Sequence, residues 1–280
     1  MASRKKFSLR GYFDRVVLVN LPRRPDRLAQ ARRALADCDW PFQQPEIFPA
    51  VDGSTASLPI RWRHGRGAWG CLQSHRQILA RAIADGVDNL LVLEDDICFR
   101  QNFCREVETF LRRVPDDWDQ LMLGGQHVNR TGEPALVKPG VYRCTDCERT
   151  HAYAIRGAFM RLLCERWQGG GKFDGLGHCD CIMGRDPELQ FAHKVYAPEF
   201  FLVGQERGKS DIYGHLQPRK FWNPPGPELA VVNLHAPPEV ALPLFRRGFY
   251  FRKTTVTKNQ SKRTLAQIFS ETAHDPHARV

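Results

Sequence analysis

The chain has 280 residues, 42% of them hydrophobic and 26% charged, with a formal net charge of +10 and a pI near 9.3. This composition excludes a disordered chain and is enough for a sizeable core. The positive balance favours an anionic partner, whether nucleotide phosphate, acidic glycan, anionic lipid or nucleic acid. No apolar run approaches a membrane span, and Met1-Ala2-Ser3-Arg4-Lys5-Lys6 has no apolar stretch behind it, so the expected location is cytoplasmic. Nine cysteines, an odd number in a chain too long to depend on staples, are expected to be free thiols.

Arg15 to Leu21 reads as a strand, closed by Pro22 and the basic turn Arg23-Arg24-Pro25-Asp26-Arg27. The helix that follows carries Leu28, Ala31 and Leu35 at helical spacing. Pro45 to Gly53 is a short second strand ending in an Asp-Gly turn. Gly67-Ala68-Trp69-Gly70 then precedes a helix from about Cys71 to Ala84, whose apolar stripe is Leu72, Ile78, Leu79, Ala82 and Ile83. Ser74 and His75 fall near its start, where a helix N-terminus beside glycines can meet a phosphate; simple packing of His75 is the alternative.

Asn89 to Leu93 is the strongest strand signal, an apolar run of the kind buried on both faces, and it ends in Glu94-Asp95-Asp96. Three carboxylates at a strand's carboxyl end suit no core. They must face water, a metal or a ligand, and in open α/β sheets ligands sit beyond the carboxyl ends of strands. Carboxylate oxygens suit magnesium or manganese, which complete their shells with water and substrate phosphates. An acidic loop or the start of the next helix is the plain alternative. The basic turn has the opposite charge, so a nucleotide diphosphate could lie between the two.

A helix from about Gln101 to Val114 leads to a strand from Trp118 to Gly125, and residues 126–149 form a loop or small hairpin carrying Cys144 and Cys147. His151 to Ile155 is a strand, Gly157 to Arg166 a helix, Gly169-Gly170-Gly171 a joint and Lys194 to Ala197 a last strand. Strand-helix alternation predicts an α/β fold with a mostly parallel central sheet and helices on both faces. Pro218 to Pro243 is proline-rich, and from Arg246 to Arg263 seven basic residues and no acidic ones alternate with Phe249, Tyr250 and Phe251. Such a tail can rest on an anionic membrane or single-stranded nucleic acid, or be solvated.

Four blocks now stand in order: Val19-Asn20-Leu21-Pro22-Arg23-Arg24-Pro25-Asp26-Arg27, Pro49-Ala50-Val51-Asp52-Gly53, Gly67-Ala68-Trp69-Gly70-Cys71-Leu72-Gln73-Ser74-His75 and Leu91-Val92-Leu93-Glu94-Asp95-Asp96. In this order the sequence resembles glycosyltransferase family 25. Weaker matches run through Trp118 to Gly124, Thr150 to Leu163, Asp180 and Ser210-Asp211-Ile212, so the resemblance covers residues 15 to about 212. It implies a GT-A type fold, assigned to residues 1–217, a UDP-hexose donor, manganese or magnesium, and inversion at the anomeric carbon; residues 218–280, proline-rich then basic, have no counterpart in it and read as an irregular C-terminal extension. By resemblance, Asp96 takes the metal, Glu94 the metal or its waters, and Asp95 donor sugar or ribose hydroxyls; His215 or His235 completes the metal shell. Asp180 is the candidate base that takes the acceptor's proton, with Asp211 second. Asn20, Arg24, Arg27, Asp52, Ser74 and His75 are carried over as donor contacts. The acceptor is a glycan, a lipid-linked oligosaccharide or a protein, and the basic tail allows peripheral contact with the inner face of an anionic membrane.

Two rival readings come from the same residues. Cys144-x-x-Cys147 with His178, Cys179 and Cys181 could hold a structural zinc through the four cysteines. A basic protein binding anionic glycan, membrane or nucleic acid is the other, or a catalytically inactive relative of the family. Nucleic acid is disfavoured, since charge is spread along the chain and no recognition motif is present.

Overall fold

The computed structural model describes residues 7–60, 62, 64–127, 134–144, 147–168, 179 and 193–222. The chain opens β1 (Arg15–Asn20), α1 (Pro25–Asp37), β2 (Glu46–Pro49), α2 (Gly65–Ala84) and β3 (Asn89–Glu94). It continues through β4 (Ile97–Phe99), α3 (Phe103–Arg113), β5 (Gln120–His127), the hairpin β6 (Ala135–Lys138) and β7 (Val141–Arg143), then β8 (Cys147–Arg156) and α4 (Gly157–Gln168). The last elements among the described residues are four short strands: β9 (Val195–Pro198), β10 (Val203–Gln205), β11 (Gly208–Lys209) and β12 (Leu216–Gln217).

Eight strands form one sheet in the order β2-β1-β3-β8-β5-β9-β7-β6. The continuous apolar runs of β1 and β3 are explained by burial on both faces. On one side Val17, Val19, Leu90 and Val92 meet α2 and α4 through Leu72, Leu79, Phe159 and Leu163. On the other, Val16, Leu18, Leu91 and Leu93 meet α1 and α3 through Ala31, Leu35, Val107 and Phe110. Alternate residues of a strand point to opposite faces, so two cores flank one sheet. The expected α/β class with helices on both faces is what forms.

The sheet is mixed, which corrects the expectation of a mostly parallel one. β1 pairs parallel with β2 and β3, and β5 with β9. β8, however, runs antiparallel between β3 and β5, and β7 runs against β6 and β9. Alternation of strands and helices reports which elements exist and not the direction in which a late strand is inserted.

Helix α2 starts at Gly65, six residues ahead of the expected Cys71, and takes in Gly67 and Gly70. A Cβ on Gly67 would lie 2.4 Å from the carbonyl oxygen of Asp211, and one on Gly70 2.5 Å from that of Val51. These glycines let a helix pass against two loops; they do not mark its end. His75 therefore sits inside α2, away from its N-terminus. Described structure continues past residue 217: Lys220 and Gln205 exchange backbone hydrogen bonds, and Trp222 is buried. The remainder of the proposed extension, His235 and the basic tail included, lies outside the described residues. No helix among the described residues is long and apolar enough to cross a membrane.

Candidate active site

A pocket of about 270 Å³ opens where β1, β2 and β3 end. Because β8 is antiparallel, its first residues Arg149, Thr150 and His151 arrive at this same rim. The small ladder of β4 with β10 returns the chain after the acidic turn, bringing Gln205 and Glu206 to it, and the bridge from Gln205 to Lys220 adds a cation.

Glu94 is the last residue of β3. Its Oε1 lies 3.3 Å from Nε2 of His75 and accepts a hydrogen bond from the Thr150 hydroxyl at 2.7 Å. Nδ1 of His75 lies 3.2 Å from the Tyr153 hydroxyl, so the imidazole bridges β3 and β8 while buried. Asp95 turns inward, accepting from Asn20 Nδ2 at 2.7 Å and from Arg27 Nη1 at 2.9 Å. Asp96 meets Arg27 Nη2 at 3.2 Å and Gln205 Nε2 at 3.4 Å.

Burial raises the pKa of these carboxyls and their partners sort them. Burial also acts on Glu94, but His75 and Thr150 hold it below its ordinary value. Asp96 is pushed up to about 7 by burial and by the charges of Glu94 and Asp95, against the pull of Arg27. Asp96 is therefore the carboxyl of the cluster whose charge is least tolerated.

The basic turn does not stand across a gap from the acidic cluster; it pairs with it directly through Arg27. Asp211 joins in, accepting from Arg23 Nη1 at 2.8 Å and from Arg24. Arg23 also donates to Asp52 at 2.6 Å, and Asp52 is lowered to about 2 by its hydrogen bonds from Ser54 and Arg23. Asp211 thus clamps the basic turn with its oxygens engaged, an arrangement that suits positioning better than proton abstraction.

Of the residues singled out in the sequence, Arg27, Asp52, Ser74, His75, Glu94, Asp95, Asp96 and Asp211 line the pocket. Asn20 and Arg24 stand behind it, holding Asp95 and Asp211. Ser74 is spent on structure, accepting from the Val51 backbone at 2.8 Å and donating to the Gly70 carbonyl at 2.7 Å. His215 does not line the pocket; it is exposed, with Nδ1 3.0 Å from the Tyr213 carbonyl, so the structure gives it no place beside Glu94 and Asp96. Asp180, His178 and Cys181 lie outside the described residues. Arg66, Arg149, Thr150, Gln205, Glu206 and Lys220 also line the pocket and were not assigned a role from sequence; of these only Thr150 falls in a block of the family resemblance.

The zinc expectation also changes. Cys144 and Cys147 converge with His127, whereas Cys179 converges with Cys71 and His75, its Sγ 3.4 Å from that of Cys71.

The α/β sheet thus carries a pocket lined by charged side chains of both signs at its strand ends, the place where ligands bind in open α/β sheets. Residues 13–148 match the model of glycosyltransferase family 25 (LPS biosynthesis protein). Over 180 residues the chain is 31% identical to the Inactive glycosyltransferase 25 family member 3 of Mus musculus, covering 57% of this chain and 30% of the relative. It is 27% identical over 178 residues to Procollagen galactosyltransferase 1 of Danio rerio, covering 55% and 29%. The chain thus spans less than a third of these relatives' length. Among solved structures, a glycosyltransferase involved in glycosylation of the major capsid of PBCV-1 aligns with a TM-score of 0.39 and 9% identity, over 65% of this chain and 79% of that one.

Proposed function

We propose that this chain is a metal-dependent, inverting sugar transferase of the GT-A type. It moves a hexose, galactose or glucose first, from a UDP-sugar to a hydroxyl of a glycan, lipid-linked oligosaccharide or protein. The observation that carries this reading is the placement of Glu94 and Asp96 at the carboxyl end of β3, inside a pocket also edged by Arg66, Arg149 and Lys220.

The donor atoms fit a hard divalent cation. Glu94 spends one oxygen on both His75 and Thr150, and Asp96 is held only by longer contacts of 3.2 Å and 3.4 Å. Among the described residues these carboxylates are not part of a group of three convergent donors, so water and diphosphate oxygens are left to complete the shell. Manganese or magnesium held by Glu94 and Asp96 would offset charge on the departing diphosphate. Lys220 has no carboxylate within ion-pair distance among the described residues and is the pocket cation best placed to receive a phosphate oxygen. Burial lowers its pKa to about 8, seconded by Arg149, and a phosphate partner would relieve that cost. Asp180 is kept as the base for the acceptor hydroxyl and Asp211 as the second choice.

The test follows nucleotide diphosphate release from a panel of nucleotide sugars, with manganese or with chelator, for the native chain, Asp96→Asn and Asp180→Asn. Metal-dependent consumption of one UDP-hexose by the native chain, abolished in Asp96→Asn, is expected. Asp180→Asn is expected to bind donor and metal but not transfer. A second reading, an inactive relative that binds donor without turning it over, is favoured by the curated relatives whose names call them inactive and by Arg27 sitting on Asp95 and Asp96. Donor-induced thermal stabilisation without diphosphate release, across all acceptors, would decide for it.

A further inference from the structure

The end of β5, the close of the β6–β7 hairpin and the start of β8 meet on the sheet at three side chains that the transferase reading does not use. His127 is the last residue of β5 and Cys147 the first of β8, and the two are direct cross-strand partners. Cys144 follows β7 immediately, held by its backbone N–H to the Val195 carbonyl at 2.8 Å. Their ligand atoms all lie within 4.8 Å of one another, and the three residues are at most 1% exposed.

Two buried cysteines alone would be small core residues. The imidazole is different, because a neutral ring carries one N–H donor and one acceptor. Among the described residues neither Nδ1 nor Nε2 of His127 has a hydrogen-bond partner, and the ring is stacked on Phe201 with centroids 5.0 Å apart. Stacking fills space and satisfies neither nitrogen. Gly125 keeps the approach open as well: a Cβ there would lie 2.8 Å from Sγ of Cys147.

We propose that His127, Cys144 and Cys147 bind a zinc ion that pins the start of β8 to the end of β5. Tetrahedral zinc, with bonds of about 2.3 Å to sulfur and about 2.0 Å to nitrogen, needs donors roughly 3.5 to 3.8 Å apart, within reach of the spacing present. Two thiolates and an imidazole suit zinc and exclude the hard cations of the carboxylate pocket. The fourth position falls to water or a further protein donor. The role is structural: β8 delivers Arg149, Thr150 and His151 to the pocket immediately after Cys147, so the ion fixes the strand end on which they sit. This inference stands without the transferase reading, and its readout is metal content.

The full chain is purified from zinc-supplemented culture without chelator, and zinc per chain is measured for the native sequence, Cys144→Ser, His127→Phe, His127→Cys and Cys71→Ser. About one zinc is expected in the native chain, Cys71→Ser and His127→Cys, and background in Cys144→Ser and His127→Phe. His127→Phe keeps a ring on Phe201, so it separates metal from packing even if the cysteine variant fails to fold: zinc ligation requires its melting temperature to fall, and a bare core requires it to hold or rise. A native chain with no zinc, including one with a Cys144–Cys147 disulfide found by mass spectrometry, overturns the proposal. So does zinc that survives in His127→Phe and is lost in Cys71→Ser.

Discussion

His151 shows what the pocket costs at the level of one side chain. Its Nε2 lies 3.2 Å from the Val203 carbonyl, to which it donates, while Nδ1 is buried without a partner among the described residues. Burial, helped by the charges of Arg149 and Lys220 and opposed by Glu94, lowers its pKa from 6.5 to about 4. The folded state therefore resists a proton that the unfolded state accepts. Stability linked to this group is complete above pH 6.5 and is lost as pH falls toward 4, at about 1.4 kcal/mol per pH unit, on the order of 3 kcal/mol in all. His151→Gln retains a donor for Val203 and removes the titration. Denaturant unfolding between pH 7 and pH 4 is expected to show a lower stability at neutral pH and a slope shallower by up to about 1.4 kcal/mol per pH unit. An unchanged slope would mean that other groups carry the acid sensitivity.

At the scale of elements, α2 gives the sharpest test of why glycine occurs where it does. In an open helix Gly→Ala stabilises by about 1 kcal/mol. At Gly67 the added Cβ would meet the Asp211 carbonyl oxygen at 2.4 Å and Cα of Ile212 at 2.9 Å, both backbone atoms that cannot rotate away. Overpacking of this kind costs about 1 to 3 kcal/mol, so Gly67→Ala is expected to be destabilising, seen as a lower denaturation midpoint with an unchanged slope. The same glycines show what the sequence conceals. β1, β3 and the helices α1 and α4 were legible because apolar periodicity is a local property of the chain. The early start of α2 was not, since Gly67 and Gly70 read as punctuation until the loops at Val51 and Asp211 are seen to press on them. The acidic triplet was legible as a site because three carboxylates at the end of an apolar run have few other uses. Arg149 and Lys220 were not, for they reach the pocket through strand direction and a two-residue bridge, which only the assembled sheet determines. The pairing of Cys144 and Cys147 with His127 was hidden for the same reason: cross-strand register is a long-range fact.

Across the whole molecule, charge is distributed against the composition. The chain carries +10 overall, yet the pocket is lined by five cationic side chains, Arg23, Arg27, Arg66, Arg149 and Lys220, against six carboxylates, Asp52, Glu94, Asp95, Asp96, Glu206 and Asp211. A site with this balance does not attract a nucleotide diphosphate by itself, and two of its arginines, Arg23 and Arg27, are already committed to carboxylates. A divalent cation inverts the sign. It would compete with Arg27 for the Asp96 carboxylate, leaving a net positive pocket inside a positive molecule, with steering toward an anionic donor. Metal and donor are therefore expected to bind with mutual dependence: UDP alone raises the melting temperature little, manganese alone modestly, and both together by more than the sum. At a hundredfold excess over the dissociation constant the joint stabilisation is about 2.7 kcal/mol. Asp96→Asn should erase the synergy while leaving the fold intact, because it removes the least tolerated charge of the cluster. Thermal melts across a manganese by UDP grid measure this directly, and strictly additive shifts would show that the carboxylates do not recruit the metal that the donor needs.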